Sequence, residues 1–508
     1  MQLIGRALEI DPRNAVAHCN QGSALRELEQ LDAALACYDR AIAIRADYAA
    51  AYFNRSIVQR DLEQWTAAMA SCDRAIEILP NYAEAHCSRG KVFKGLKQWD
   101  AALVCYEQAI VLKPNLADAY CERGIALKEL NQHDAAFASY ARAIALDPDH
   151  VYAHLNRGNL LKETGQLDAA LACYAKAISV KAGFATAHCN RSTILLLRGD
   201  FEKGWADYEW RWKDRYSTVI RQNRNFPQQR WLGGRSLAGK TILLHHEQGF
   251  GDTLQFCRYA TLAARLGATV ILQVPKPLTN LLTSLEGVSQ VIAEGDALPA
   301  FDCYCPLMSL PLAFKTTLST IPSRVPYLKG SADKARFWNE KLGEKNKPRV
   351  GLVWSGGFRP SQPEVWAVHN RRNIPLAKLA ALKHGGIEFY SLQKGQPAES
   401  ELADLMSSGW DGPPIIDHTN LLDDFSDTAA LIEQLDLVIS VDTSTAHLAA
   451  AQGKKVWLLN RFDTCWRWLL DRADSPWYPT LRIYRQVKAG DWDDVAERVR
   501  NDLPQLLQ

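Results

Sequence analysis

No apolar run in the 508-residue chain approaches the roughly 18 residues that cross a bilayer, so no membrane span is expected. A secretory h-region is missing too: the first residues, MQLIGRALEIDPRN, alternate charged and apolar groups, which makes the cytoplasm the expected compartment. There is no excess of either charge. The 59 basic and 57 acidic residues leave a net charge of +2, and no global field points to nucleic acid or to a membrane surface. The spacings of a zinc or redox pair are also lacking, since Cys303-x-Cys305 has no two-residue gap. No metal site is expected. Signatures of common phosphate sites are absent as well. No Gly-Lys-Ser/Thr follows a glycine-rich turn, and Gly249-x-Gly251 is followed by Leu254, which breaks G-x-G-x-x-G. No D-x-D stands at a strand end, because Asp491-Trp492-Asp493 opens the last helix, where carboxylates favour the dipole.

What remains is an ordinary globular composition, 47% hydrophobic and 23% charged, in a chain too long for one core. Two or three domains are expected. Self-similarity dominates the first two hundred residues. Small residues recur every 34 positions at Gly22, Ser56, Gly90, Gly124, Gly158 and Ser192. Alanines recur at Ala17, Ala51, Ala85, Ala119, Ala153 and Ala187, tyrosines at Tyr38, Tyr106, Tyr140, Tyr174 and Tyr208. Cys19, Cys87, Cys121 and Cys189 stand 68, 34 and 68 residues apart, which predicts small buried thiols between helices and not a disulfide framework.

This period of helix–turn–helix units resembles the tetratricopeptide repeat (TPR), with five full units and a variant sixth. Small residues where helices cross let backbones approach, and stacked pairs form a solenoid with a concave groove. Arg6-Ala7-Leu8 falls at the place of Arg40-Ala41-Ile42, so the first helix is either a cap or the remnant of a repeat cut by the sequence start. Two residues before each small residue stand Asn20, Asn54, Ser88, Glu122, Asn156 and Asn190. In the TPR-bearing O-GlcNAc transferases, which this architecture resembles, such asparagines hold the backbone of protein acceptors; an amide both donates and accepts, which permits sequence-tolerant binding. The alternative is a set of polar residues solvated in a groove. Ser88 and Glu122 interrupt the ladder.

The last repeat drifts into a tryptophan-rich segment with Trp205, Trp210 and Trp212, expected to seal the final helix pair against the next domain. The expected division is a TPR solenoid over 1–212, a linker over 213–239, one Rossmann-like half over 240–325, a hinge over 326–348 and a second half over 349–508. The two halves are read from strands alternating with helices, which predicts two parallel sheets facing across a cleft.

Two turns carry the chemistry. The first, after the strand 241–245, is Glu247-Gln248-Gly249-Phe250-Gly251-Asp252; Asp252 is either a cap of its helix or a general base. The second is Asp442-Thr443-Ser444-Thr445 with His447, between the strand 437–441 and a small-residue helix over 446–452 whose free N–H groups suit a phosphate. The segments FGDTLQFCRYA, VGLVWSGG (350–357), RRNIPL (371–376), SLQKG (391–395) and DTSTAHLAAAQG (442–453) occur in that order. Together they resemble the heptosyltransferase-type glycosyltransferases of family 9, which have the GT-B fold.

That resemblance implies an inverting, metal-independent transfer with a nucleotide-sugar as co-substrate and no cofactor. It assigns Asp252 as base, with Gln248, Gly249 and Gly251 on the acceptor side. It assigns Asp442, Thr443, Ser444, Thr445 and His447 to the donor, Ser444 standing where the family has glycine. Ser355, Gly356, Arg371, Arg372, Gln393 and Lys394 are further donor-side candidates. An inverting transfer needs a carboxylate opposite the leaving nucleotide and positive groups to bear the diphosphate. Arg461 and Arg467 are candidate phosphate or acceptor contacts. His245-His246 is either loop-lining or core, and Trp466 and Trp468 either stack on a base or pack a helix. The expected activity is a glycosyltransferase acting on a protein or peptide held in the TPR groove. The alternatives are an inactive scaffold of the same fold and an enzyme of glycans or lipid-linked sugars.

Overall fold

The computed structural model describes residues 2–214, 219, 224, 226–357 and 370–506. The chain divides into two compact units, Met1–Ala187 and His188–Gln508.

The first unit is a TPR solenoid. Its repeats pair a 13-residue helix with a 14-residue one, as in Ala83–Gly95 and Trp99–Leu112. Both helices of a pair are joined through one residue in the left-handed region, at Glu29, Glu63, Lys97, Asn131 and Gly165, with φ between 58° and 78°. The glycine period has a direct cause. A Cβ on Gly22, Gly90, Gly124 or Gly158 would meet the ring of Tyr38, Tyr106, Tyr140 or Tyr174 at 2.5–2.7 Å. Ser56 keeps its side chain because residue 72, in the tyrosine place, is a smaller cysteine; the Ser56 hydroxyl donates to the Phe53 carbonyl at 2.7 Å. Cys19, Cys87 and Cys121 are buried and free as expected, whereas Cys189, in the second unit, is half-buried.

The second unit is α/β. Strands β1 (Gln229–Arg230), β2 (Thr241–His245), β3 (Thr269–Val274), β4 (Val288–Ala293) and β5 (Cys303–Pro306) form one parallel sheet in the order β1-β5-β2-β3-β4. Strands β6 (Arg349–Val353), β7 (Glu388–Ser391), β8 (Ile415–Asp417), β9 (Leu437–Val441), β10 (Lys455–Asn460) and β11 (Leu481–Arg485) form the other. Its order is β11-β10-β9-β6-β7-β8, again all parallel. The chain winds outward through β7 and β8, then returns to the other side of β6 at β9. The reversal opens a crevice at the carboxyl ends of β6 and β9. β6 and β9 are buried along their whole length, as strands covered on both faces are.

The stretch 213–239, read as linker, supplies β1 to the first sheet, and part of it lies outside the described residues. The tryptophan-rich segment belongs by packing to the second unit. Trp205 is buried against Phe256 and Trp466, with ring centroids 6.1 and 5.2 Å away, and Trp210 stacks on His188 at 4.1 Å. Two short helices, Phe250–Phe256 and Tyr259–Arg265, follow the loop after β2. Arg258, between them, is buried and donates to the carbonyls of Gln255, Pro322 and Trp477 and to the Tyr327 hydroxyl. Among the described residues no helix is long and apolar enough to cross a membrane.

Candidate active site

The loop after β2 is held from below by a buried ion pair. Arg211 donates from Nε and Nη2 to the two oxygens of Glu247, both at 2.9 Å, and also to Ser309 Oγ at 2.7 Å. Glu247 accepts from the Met308 N–H as well, which ties the ends of β2 and β5 together. Burial would lower the Arg211 pKa, but Glu247 and Glu209 outweigh it and hold the cation up. Gln248 turns aside and donates to the Tyr208 hydroxyl at 2.6 Å.

Gly249, not Asp252, is the N-cap of Phe250–Phe256. Asp252 lies in the first turn, and its two oxygens do different things. Oδ2 accepts from the Gly249 N–H at 3.1 Å, which fixes the turn; Oδ1 forms an ion pair with Arg467. The alternatives of cap and functional carboxylate are therefore both compatible with one side chain.

The second turn starts its helix earlier than the small-residue run suggests. The helix is Ser444–Ala451, with Thr443 as N-cap, because the Thr443 hydroxyl accepts from the Ala446 N–H. His447 is buried, stacks on Trp468 and has Nδ1 2.9 Å from the Tyr478 hydroxyl. Asp442 Oδ1 lies 3.9 Å from its Nε2. Burial pushes the His447 pKa down to about 4, with Asp442 opposing, so the ring is neutral at physiological pH.

The two turns touch. A Cβ on Gly251 would stand 2.9 Å from His447 Cδ2 and 3.6 Å from Ser444 Cα. Gly251, having no side chain, permits this close approach at Ser444. Asp252, Asp442, His447 and Arg467 thereby share one electrostatic neighbourhood.

Beside this contact lies a cavity of about 310 Å³ at the carboxyl ends of β6, β7 and β9. Ser355, Gln393, Lys394, Thr443, Ser444 and Thr445 line it, with Asp423 and Asp424 on the same wall. Phe250 and Phe425 are also part of the lining, their rings 5.3 Å apart. Asp252, Asp442, His447, Gly356, Arg371 and Arg372 are not among the lining residues. Gln393 Oε1 accepts from the backbone N–H groups of Trp354 and Ser355, and Lys394 donates to the Thr419 and Leu422 carbonyls, so both brace loops. Arg371 pairs with Asp463 at 3.1 Å on the surface. Arg372 lies over Gly356, whose N–H is accepted by Asn373 Oδ1.

The other candidates fall into place structurally. Arg461 donates to the Asp463 carbonyl, and Trp466 and Trp468 are buried. His245 is buried, its Nδ1 2.9 Å from the His246 carbonyl, and burial lowers its pKa to about 3. In the repeats, Asn54 and Asn156 donate to the thiols of Cys19 and Cys121, one repeat earlier, while Asn20 is exposed and Asn190 half-buried. At the interruptions Ser88 bonds Ser56, and Glu122 pairs with Lys94 and Lys91. Among the described residues no group of His, Cys, Asp and Glu is set to hold a metal.

Sequence reasoning did not place Tyr208, Tyr478 or Arg211 at the site, and it named Glu247 only as a member of the first turn. Tyr208 was hidden by its role as a repeat tyrosine; the signal in Arg467 was a lone cation between two tryptophans.

Comparison with known proteins adds independent support. TPR repeat models match residues 22–59, 96–131, 126–165 and 151–184. The model of glycosyltransferase family 9 (heptosyltransferase) matches residues 382–459, a stretch that includes Gln393, Lys394 and the 442–447 turn but not Asp252. The chain is 28% identical over 333 residues to Protein FlbA of Caulobacter vibrioides, a match covering 60% of this chain. The chain spans about half (52%) of the length of that relative. Among solved structures, YrrB, described as a TPR protein with an unusual peptide-binding site, is 25% identical over 36% of this chain and 95% of its own, with a TM-score of 0.28. TTC0263, a thermophilic TPR protein of Thermus thermophilus, is 23% identical over 36% of this chain and 99% of its own, with a TM-score of 0.34. The family matches support a fusion of TPR repeats with a glycosyltransferase domain, and glycosyl transfer as its general chemistry.

Proposed function

We propose that the second unit transfers a sugar from a nucleotide-sugar donor, with inversion and without a metal, to a protein recruited by the TPR groove. The observation that carries this is the contact of Gly251 with His447 and Ser444, which sets Asp252 beside the turn whose helix N-terminus faces the cavity. In this reading Asp252 takes the proton of an acceptor hydroxyl and the oxygen forms a bond to the anomeric carbon. The bond from that carbon to the diphosphate oxygen breaks on the opposite face, and its electron pair leaves with the diphosphate. In the same reading Thr445 and the first N–H groups of Ser444–Ala451 bear that charge. Neutral His447 offers Nε2 to a sugar hydroxyl without adding charge.

Asp252→Ala is the direct test. Donor hydrolysis and sugar transfer are expected to fall by about 10²- to 10⁴-fold, the usual worth of a general base. Unchanged turnover removes Asp252 from that role. Intact-mass analysis of proteins captured by the TPR unit identifies the acceptor class; a captured protein that gains no mass on incubation with donor argues for recruitment alone.

A further inference from the structure

Arg467 stands on the turn Trp466–Trp468 that follows β10, and its guanidinium is shared among three neighbours. Nη2 pairs with Asp252, Nη1 donates to Cys465 Sγ at 3.0 Å, and the group lies 4.2 Å from the Trp466 ring centroid. The side chains of Arg467 and Asp252 are 12% and 19% exposed, so the pair is largely out of water. A cation so placed requires an anion close by. Yet with Arg467 on Oδ1 and the Gly249 N–H on Oδ2, neither oxygen of Asp252 is open to an acceptor hydroxyl. Being the counter-ion of Arg467 and being a general base are competing duties for Asp252.

A second anion acts on the same guanidinium: Asp442, at the head of the 442–447 turn. The cation therefore lies within electrostatic reach of the turn to which the transferase reading assigns the diphosphate. We propose that Arg467 serves two anions in succession, pairing with Asp252 before donor entry and turning to the diphosphate of a bound donor, so that Asp252 becomes an effective base only when a donor is in place. The inference rests on the transferase reading and makes Arg467 a further catalytic residue, in contact with the leaving group. The exchange itself makes and breaks no covalent bond. In the subsequent transfer, the acceptor proton goes to Asp252 and the leaving electron pair to the diphosphate that Arg467 now faces.

The test is calorimetric titration of the full chain with UDP, GDP, CDP, TDP and ADP, in EDTA, for wild type, Asp252→Asn, Arg467→Ala and the double variant. Asparagine removes the charge at residue 252 but keeps an oxygen to accept from the Gly249 N–H. Whichever diphosphate binds wild type is expected to bind Asp252→Asn about three- to tenfold more tightly, and Arg467→Ala about tenfold or more weakly. Adding Asp252→Asn to Arg467→Ala is expected to change nothing, which separates competition for Arg467 from simple relief of charge repulsion. Arg467→Lys, which keeps the charge without the fork, should fall between wild type and Arg467→Ala, and carries the comparison if the alanine variant does not fold. No tightening in Asp252→Asn, or equal tightening with and without Arg467, overturns the exchange and leaves the transferase reading standing. Failure of wild type to bind any of the five diphosphates overturns both.

Discussion

The two sheets of the second unit reverse their winding in the same way, but the crevices at the two reversals are used differently. Between β2 and β5 the space is filled from within by Arg211, which is clasped by Glu247 and Ser309. Between β6 and β9 it opens into the cavity bordered by Thr443–Thr445. One crevice is spent on rigidity and the other is left for a ligand. The filled one fixes the loop that carries Asp252, and the open one carries the helix N-terminus that faces it.

Breaking the filled crevice should have the largest effect. Glu247→Ala leaves the Arg211 guanidinium buried without its main partner and is expected to cost about 3–5 kcal/mol in denaturant unfolding. The double change Glu247→Leu with Arg211→Met should recover most of that loss, as replacement of a buried ion pair by apolar groups often does. Filling the open crevice should do the reverse. Thr445→Trp is expected to abolish nucleoside diphosphate binding by calorimetry while leaving the melting temperature within a few degrees of wild type. A smaller effect is expected where the two turns meet. Gly251→Ala places a methyl 2.9 Å from His447 Cδ2 and should destabilise by about 1–3 kcal/mol, with transfer falling as the turns separate.

A separate effect, spread over a range of conditions, is a slope with pH. Burial lowers the pKa values of His447 and His245 to about 4 and about 3, below the ordinary histidine value, so the unfolded chain binds more protons in that range. Their contribution is fully present above about pH 6.5 and is lost as pH falls toward 4 and 3. His447→Gln should flatten the fall of melting temperature with acidification over that window.

Local, periodic physics made the first unit legible. Each glycine of the 34-residue period, Gly22, Gly90, Gly124 and Gly158, answers to one tyrosine ring, so the repeat could be read from spacing alone. Strands β2, β6, β9 and β10 were equally plain, being buried apolar runs. β1 and β8 were not, because strands of two and three residues carry too little pattern. In the candidate site, both turns could be located from their residues. The ion pair between Asp252 and Arg467 could not, since it joins groups 215 residues apart and depends on how two lobes pack. Nor could the postures of Lys394 and Arg371, whose partners are a backbone carbonyl and a surface carboxylate. Sequence reasoning names residue types at a place; it does not say which way a flexible cation turns.

Arg258 sets a limit on how the second unit moves. Its guanidinium is shared by carbonyls at Gln255, Pro322 and Trp477, drawn from both sides of the cleft. Wide separation of the lobes would strip a buried charge of its acceptors, so the least costly breathing pivots at that side chain. In the proposed transferase reading, a large nucleotide then exchanges by motion at the rim, near Phe250 and Phe425, with the hub staying shut.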